Sequence, residues 1–399
     1  MTARAQLLYG TGVFETFLAR GEQRARVEAN RALLRFVNGV QWLLRDPKTV
    51  VGRTPYDVIH RDGKLEVRRY QSGASRPAHP YLPVLLIPPL MVKPFIFDLY
   101  PGRSLAAFLL DHGFPVYLVD FGEPDQADAY VTLDDYVLDW LPAACAAVER
   151  DSGDEELSLL GYCMGGLFAL AHVAANRDAS VRNIITIGAP LDANKLGLFA
   201  WIAKLAGGQI DFMTRRIGNV PGGVSSTAFR LLTPMKNITR YADLFMNMWD
   251  REYVNGFDAM NEWIRQFIDY PQAAFLQFQR EFVRQNKLVR GQMAFGGRVA
   301  DLRRVQASLL VFAGRSDQIA PPAAVRAALD VVGSQDKQFR LVAGGHMGIF
   351  AGASAPQQVW TPIARWLAPR SRRRRAGSRA AASVTRSSAL SARRVARRA

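Results

Sequence analysis

Apolar residues between about residues 80 and 165 fall into short continuous runs separated by stretches with helical spacing. The runs read PVLLIPP, FPVYLVDF and LSLLGY, and their length and β-branched content are typical of fully buried strands. The stretches between them, RSLAAFLLDHG and LDDYVLDWLPAACAAVER, repeat apolar residues every three to four positions. Strand alternating with helix predicts a mostly parallel sheet with helices on both faces.

The same pattern resumes with NIITIGAP, SLLVFAG and FRLVAGG after a long interruption. Residues 194–304, rich in Phe, Met, Trp and Arg, contain no obvious strand. Because a structureless loop of that length is improbable in a compact domain, this stretch is predicted to be a mostly helical insertion covering one sheet edge.

The amino-terminal part has a different pattern. Residues from about 18 to 46 suit an amphipathic helix, and DVIHRDGKLEVRRY suits a hairpin that turns at Asp62-Gly63. The predicted organisation is an N-terminal helix and hairpin region at 1–75, an α/β core at 76–193 and 305–369, a helical cap at 194–304 and a tail at 370–399.

Composition excludes a disordered or fibrous chain. The 399 residues are 49% hydrophobic and 22% charged, with a net charge of +16. The two cysteines are too few for a disulfide framework and lack the paired spacing of a structural zinc site. The first residues show no secretory signal, and prolines interrupt the longest apolar segment, so a soluble, cytoplasmic protein is expected.

Most of the positive charge lies in the tail. Residues 370–399 contain eleven arginines and no acidic residue, and subtracting these charges from +16 leaves +5 for the rest of the chain. Such a segment is expected to be disordered and to contact anionic surfaces or nucleic acid. No aromatic residue interleaves the arginines, so base stacking is not expected.

The string LSLLGYCMGGLFALAHV is typical of a nucleophile elbow with cysteine as the nucleophile. Cys163 follows a predicted strand and precedes a predicted helix, and Gly161 and Gly165 flank it two positions away. These positions must lack side chains for the two backbones to approach each other. The alternative is that Cys163 is a small buried hydrophobe; Cys145, in an Ala-rich helix, is interpreted in that way.

A cysteine nucleophile needs a base, because the thiolate is the reactive form. Among five histidines, only His346 follows a predicted core strand in a glycine-flanked loop, GGHMGIF. Asp317 occupies the corresponding loop after the preceding strand. The chain order Cys163, Asp317, His346 is that of the α/β-hydrolase fold. A capping role for His346 and a turn-initiating role for Asp317 are the alternatives.

An oxyanion formed at this site needs backbone N–H donors. Met164, directly after the nucleophile, is the first expected donor. The second is expected in the loop IPPLMVKP, whose prolines have no N–H to donate. Leu90 and Met91 are the candidates, and the sequence does not choose between them.

At this point the chain resembles the poly(3-hydroxyalkanoate) synthases over roughly residues 50–368. The strings GYCMGG, LLIPPLMVKPFIFDL, GNVPGG, RQNKL, SDQIAPP and GGHMGIF occur in that family's order. Length and the short amino-terminal region resemble the smaller catalytic subunits of two-component synthases. Phe121, where many relatives carry Trp, and the Arg-rich tail depart from the pattern.

The resemblance implies an acyltransferase of the α/β-hydrolase fold that polymerises (R)-3-hydroxyacyl-CoA thioesters and releases CoA. Cys163 would be the nucleophile, His346 the base, and Asp317 its partner or the activator of the incoming hydroxyl. Arg215 and Arg216 are candidates for the CoA phosphates. The implied partners are 3-hydroxyacyl-CoA, the growing polyester, an accessory subunit and a second copy in a homodimer. The polyester granule surface is the implied location, and no cofactor or metal is expected.

Two other functions remain open at the level of sequence. A cysteine hydrolase, either a thioesterase or a protein similar to dienelactone hydrolases, would share the elbow, but the insertion at 194–304 argues against the shorter dienelactone hydrolases. A non-catalytic granule-binding or nucleoid-binding protein would use the tail, but Cys163, Asp317 and His346 argue against it.

Overall fold

In the computed structural model, residues 3–44, 51–71, 80–231 and 234–373 are described. Within these ranges one sheet has eight strands: β1 Tyr56–Asp62, β2 Leu65–Tyr70, β3 Val84–Ile87, β4 Val116–Asp120, β5 Leu157–Tyr162, β6 Val181–Ile187, β7 Ser308–Gly314 and β8 Lys337–Val342. Their spatial order is β1-β2-β4-β3-β5-β6-β7-β8. Strands β3 to β8 are parallel, whereas β1 and β2 are antiparallel to their neighbours. The predicted mostly parallel sheet is confirmed.

Helices cover both faces of the sheet. The α-helices are α1 Ala3–Leu44, α2 Leu105–Asp111, α3 Leu141–Ser152, α4 Met164–Asn176, α5 Leu198–Leu205, α6 Gly207–Ile217, α7 Gly222–Leu231, α8 Pro234–Asn247, α9 Arg251–Arg265, α10 Gln272–Gln277, α11 Pro322–Val331, α12 Gly348–Ala351 and α13 Thr361–Arg370. Helices α3, α4 and α11 bury apolar residues on one face, and α2 and α13 on the other. No helix in the described ranges has the length and apolarity needed to span a bilayer.

The hairpin β1-β2 is part of the central sheet, which differs from the predicted boundary at residue 75. Strand β2 pairs with β4 in antiparallel register, with Arg68 opposite Leu118. Leu65 and Val67 on β2 are fully buried. The hairpin therefore extends the core at one edge, and among the described helices and strands of residues 1–75 only α1 lies outside it. Gly63, in the predicted turn, has a φ of +56°, which glycine adopts at little cost.

Helix α1 is longer than the sequence predicts and starts at Ala3. Its apolar positions are exposed, as at Leu33 (61%) and Leu44 (80%). Its last turns contact the rest of the chain: Asn38 Nδ2 donates to Met248 O at 2.7 Å, Trp42 Nε1 donates to Asp258 Oδ1 at 3.0 Å, and the Trp42 ring packs against an apolar cluster that includes Met248. Leu33 and Leu44 are not covered by any described residue to a comparable extent.

The insertion at 194–304 is mostly helical, as predicted, with two departures. A short ribbon pairs Ala294–Phe295 with Arg298–Val299. Its last third also packs into the main core, where Phe282 and Leu288 are almost fully buried. The part that stands apart as a cap is therefore shorter than the predicted range.

The chain after α13 is tied to the core over residues 370–373, where the sequence predicts the start of a disordered tail. The Ser371 side chain is buried and accepts from Asn183 Nδ2 at 3.2 Å. Arg370 pairs with Asp336. The remaining predicted tail, 374–399, lies outside the described residues.

Candidate active site

Cys163 occupies the turn between β5 and α4 in a conformation rare for a non-glycine residue, with φ +52° and ψ −120°. Its backbone N–H donates to Ile187 O at 2.9 Å, which ties the turn to β6. A Cβ at Gly165 would overlap the carbonyl oxygen of Ile87, and one at Gly161 would overlap the Gly165 backbone. Both glycines are therefore needed for the close approach that the sequence predicts.

His346 and Asp317 meet at the carboxyl ends of β8 and β7. His346 Nδ1 lies 2.8 Å from Asp317 Oδ2, and both side chains are almost completely buried. The second carboxylate oxygen of Asp317 accepts from the N–H groups of Ile319 and Ala320 at 2.9 and 2.8 Å. The carboxylate is thereby held in one orientation, and it orients the imidazole in turn.

The second ring nitrogen of His346 takes no part in the bond to Asp317, and Cys163 interacts with the same imidazole. Burial lowers the pKa of His346, but the Asp317 carboxylate and the Cys163 sulfur outweigh burial and raise this pKa to about 10. The protonated form of the His346 ring is thus favoured at neutral pH. Cys163 itself is only partly buried.

Met164 is the first residue of α4, where backbone N–H groups are free of intrahelical partners. Pro88 and Pro89 precede Leu90 and Met91 in the loop after β3, and Met91 has a φ of +61°. The Met91 carbonyl accepts from Ile268 N at 3.0 Å, which joins this loop to the cap segment. The choice between Leu90 and Met91 as the second donor stays open.

Two tyrosines that sequence reasoning missed support the site. Tyr162, inside the elbow motif, donates its hydroxyl to His346 O at 3.3 Å. Tyr270, on the returning cap segment, donates to Met164 Sδ at 3.6 Å and is buried. Burial raises the pKa of both tyrosines well above the ordinary value, so both stay neutral donors. Tyr162 stands next to the nucleophile in sequence, but no local signal marks Tyr270.

The two arginines predicted to contact CoA do not join the group formed by Cys163, Asp317 and His346. Arg215 and Arg216 are exposed in the last turn of α6, where Arg216 stacks on Phe212 with its guanidinium 4.5 Å from the ring centre. Their role stays a prediction. Trp263, an aromatic residue of the insertion, lies in the core, and its indole donates to Lys93 O at 2.9 Å.

Comparison with known proteins shows which family this chain belongs to. The family model for the alpha/beta hydrolase fold matches residues 96–353. The poly(3-hydroxyalkanoate) polymerase subunit PhaC of Allochromatium vinosum is 31% identical over 333 residues, which cover 82% of this chain and 92% of that protein. The chain belongs to the poly(3-hydroxyalkanoate) polymerase family. The PhaC subunit of Synechocystis sp. is 30% identical, with 84% and 90% covered.

A longer family member is also similar. The PhaC subunit of Haloferax mediterranei is 33% identical over 80% of this chain, and the chain spans 65% of that protein's length. Among solved structures, a soluble variant of monoglyceride lipase from Saccharomyces cerevisiae covers 82% of this chain at 16% identity, with a TM-score of 0.49. The family-model match and the PhaC relatives confirm the α/β-hydrolase fold and the resemblance to this polymerase family.

Proposed function

We propose that the chain is the catalytic subunit of a polyhydroxyalkanoate synthase, which transfers (R)-3-hydroxyacyl groups from CoA to a growing polyester through a Cys163 acyl-enzyme. The observation that carries the proposal is the buried His346–Asp317 pair, which interacts with a partly buried cysteine at an elbow. The polymerase names of the relatives support the same reaction class.

The first half-reaction forms a thioester on the enzyme. Cys163 Sγ, its proton held by His346, attacks the acyl carbonyl, and the Met164 N–H with a donor from the Leu90–Met91 loop stabilises the oxyanion. One such donor contributes about 3–4 kcal/mol in comparable sites. The C–S bond to CoA then breaks, and His346 returns the proton to the leaving thiolate. Exchange of one thioester for another keeps the acyl group activated.

The second half-reaction forms the ester. The 3-hydroxyl of the chain end attacks the acyl-cysteine while its proton passes to His346, and Asp317 stabilises the imidazolium. The new C–O bond replaces the C–S bond, and the proton returns to Cys163. The cycle consumes no cofactor, since CoA is released as a product.

Water is the competing acceptor, and we propose that the cap excludes it. Ile268 and Tyr270 of the cap segment contact Met91 and Met164, two of the residues expected to stabilise the oxyanion. A backbone bridge between Val220 and Tyr270 joins two parts of the cap. Association with an accessory subunit, formation of a homodimer and residence at the granule surface are further parts of the proposal.

The product distinguishes the proposal from hydrolysis. Purified protein is incubated with 3-hydroxybutyryl-CoA, with and without a candidate accessory subunit, and both CoA release and polyester are measured. The proposal predicts CoA release with insoluble polyester, and Cys163→Ala abolishes both, whereas the cap-surface variant Gly208→Ala keeps both. Free 3-hydroxy acid as the sole product would identify a hydrolase and overturn the proposal.

A further inference from the structure

A second group of reactive side chains lies away from the elbow, under the packing of α3 on α4. Cys145 lies on α3, His172 on α4 and Asp178 in the loop between α4 and β6. One ligand atom from each lies within 4.8 Å of the other two, and this is the one such group among the described residues. The mechanism proposed above uses none of them.

The spacing of these atoms is close to that of a tetrahedral metal site. His172 Nε2 lies 3.0 Å from Asp178 Oδ2 and 3.8 Å from Cys145 Sγ. A zinc ion bonded at about 2.0–2.3 Å to each ligand separates ligand atoms by roughly 3.3–3.7 Å. The third pair, Cys145 Sγ and the Asp178 oxygen, lies within 4.8 Å, so ion binding draws these two atoms together.

The surrounding groups orient the ligands. Asp178 Oδ1 accepts from Ser180 N at 2.9 Å and Ser180 Oγ at 2.7 Å, which leaves Oδ2 facing His172. His172 Nδ1 lies 3.4 Å from Val137 O and 3.0 Å from Asn176 Nδ2, so the Asn176 amide has to turn away before an Nδ1–H can donate to this carbonyl when Nε2 binds a metal. Support of a ligand imidazole by a carbonyl is typical of zinc sites.

The charges of these side chains and their access to solvent also favour a divalent cation. A thiolate and a carboxylate together balance a divalent cation, which avoids a net charge among the buried Cys145 and His172 side chains. Asp178 is partly exposed, at 19%, and gives solvent a route to the site. Thiolate and imidazole ligands select zinc-like cations over magnesium or calcium.

We propose that Cys145, His172 and Asp178 bind a zinc-type divalent cation, with water completing the coordination. Binding releases the Cys145 thiol proton to solvent and moves the imidazole proton from Nε2, where it donates to Asp178, to Nδ1. In the metal-free chain the same groups form an ordinary His172–Asp178 pair, with Asn176 Nδ2 3.0 Å from Nδ1. The site links α3, α4 and the following loop and is independent of the acyl transfer proposed above.

Metal titration of the full-length chain tests the site. Because the chain has two cysteines, Cys163→Ser is the background, so that Cys145 is the remaining thiol. After chelator treatment and buffer exchange, Co²⁺ is added as the probe and Zn²⁺ as its competitor. The proposal predicts one bound equivalent with thiolate-to-cobalt charge-transfer absorption, displaced by Zn²⁺ and absent in Cys145→Ser/Cys163→Ser.

Asp178→Asn provides a second test that leaves both buried ligands in place. It should weaken Co²⁺ binding by at least about tenfold, whereas the matched surface change Asp111→Asn leaves binding unchanged. Circular dichroism monitors folding of each variant, and if Cys145→Ser fails to fold, Asp178→Asn decides alone. Absence of stoichiometric binding, charge-transfer absorption without Cys145, or equal affinity in the two aspartate variants would overturn the proposal.

Discussion

Cys163 holds a backbone conformation that costs of order 1–3 kcal/mol for a residue with a side chain. The elbow tolerates this strain because the neighbouring contacts require it: the Cys163 N–H bonds to Ile187 O, and Gly161 and Gly165 bring strand and helix backbones together. The sulfur is thereby placed on an accessible turn at the carboxyl edge of the sheet.

Adding a methyl group at Gly165 should break this arrangement. In Gly165→Ala the Cβ would overlap the Ile87 carbonyl oxygen, so the free energy of unfolding should fall by about 3 kcal/mol or more. Urea denaturation measures the change. In the control, Gly208→Ala on exposed α6, no atom lies within 4 Å of the new Cβ, and a change within about 1 kcal/mol is expected. Equal losses in the two variants would contradict the packing explanation.

Asp317 should act by orienting His346 and by stabilising its protonated form. Asp317→Asn replaces the charged acceptor at 2.8 Å from Nδ1 and should reduce kcat by roughly 10²–10⁴-fold. CoA release under saturating 3-hydroxybutyryl-CoA measures this, with folding followed by circular dichroism. A folded variant with near-normal kcat would exclude a catalytic role for the pair.

The same pair makes stability depend on pH. Burial lowers the pKa of His346, but Asp317 and Cys163 raise it by more, to about 10 against an ordinary value of 6.5. The stabilisation is therefore fully present below pH 6.5 and is lost as the pH rises through about 10. The stability advantage of the wild type over His346→Gln should shrink across this window in chemical denaturation. Asp317→Asn should make this stability advantage less dependent on pH. An advantage that stays constant across the window would contradict the prediction.

At the scale of elements, the helical cap depends on how its helices begin, and α9 begins at a side-chain N-cap. Asp250 accepts from the N–H groups of Glu252 and Tyr253 at 2.9 and 3.3 Å at the start of α9. This helix carries Trp263, whose indole bonds to Lys93 O beside the oxyanion loop. The start of α9 therefore affects how firmly the cap is held against the core.

Removal of the Asp250 N-cap should measurably lower the stability of the protein. Asp250→Ala should lower the free energy of unfolding by about 1 kcal/mol, because two helix N–H groups lose their acceptor. Asp250→Ser, which keeps an acceptor oxygen, should recover most of the loss. Thermal or urea unfolding of both variants provides the measurement, and equal destabilisation by Ala and Ser would contradict capping.

At the scale of the whole molecule, the segment after α13 closes the amino-terminal side of the sheet. Leu82 N donates to Ser371 O at 2.6 Å, and Arg373 N donates to Pro80 O at 3.0 Å. The Ser371 hydroxyl also meets Asn183, which is fully buried on β6. Residues 370–373 thus join the start of β3 to the end of the fold.

Two truncations should separate this anchor from the arginine-rich remainder. A chain ending at residue 373 should keep the Tm of the full chain. A chain ending at residue 369 should have a lower Tm and a free energy of unfolding reduced by roughly 2–4 kcal/mol, because buried polar groups lose their hydrogen-bond partners. Differential scanning calorimetry compares the two proteins. Equal Tm values would show that the anchor does not contribute to stability.

The amino-acid sequence by itself determined the parts of the protein that rest on local physics. The apolar runs of β3 to β7 predict strands buried on both faces, and the glycines around Cys163 predict a turn that side chains would block. Chain order then placed Asp317 and His346 at neighbouring strand ends, because parallel strands end at one edge of the sheet. The structure brings these two together as that order predicts.

Only the tertiary structure decided which distant segments meet. Pairing of β2 with β4, anchoring of Ser371 beside Asn183, and contact of Tyr270 with Met164 leave no local pattern, since each joins residues far apart in the chain. The convergence of Cys145 with His172 is hidden for the same reason. Periodicity reports which face of an element is buried, whereas packing alone selects the partner that covers it.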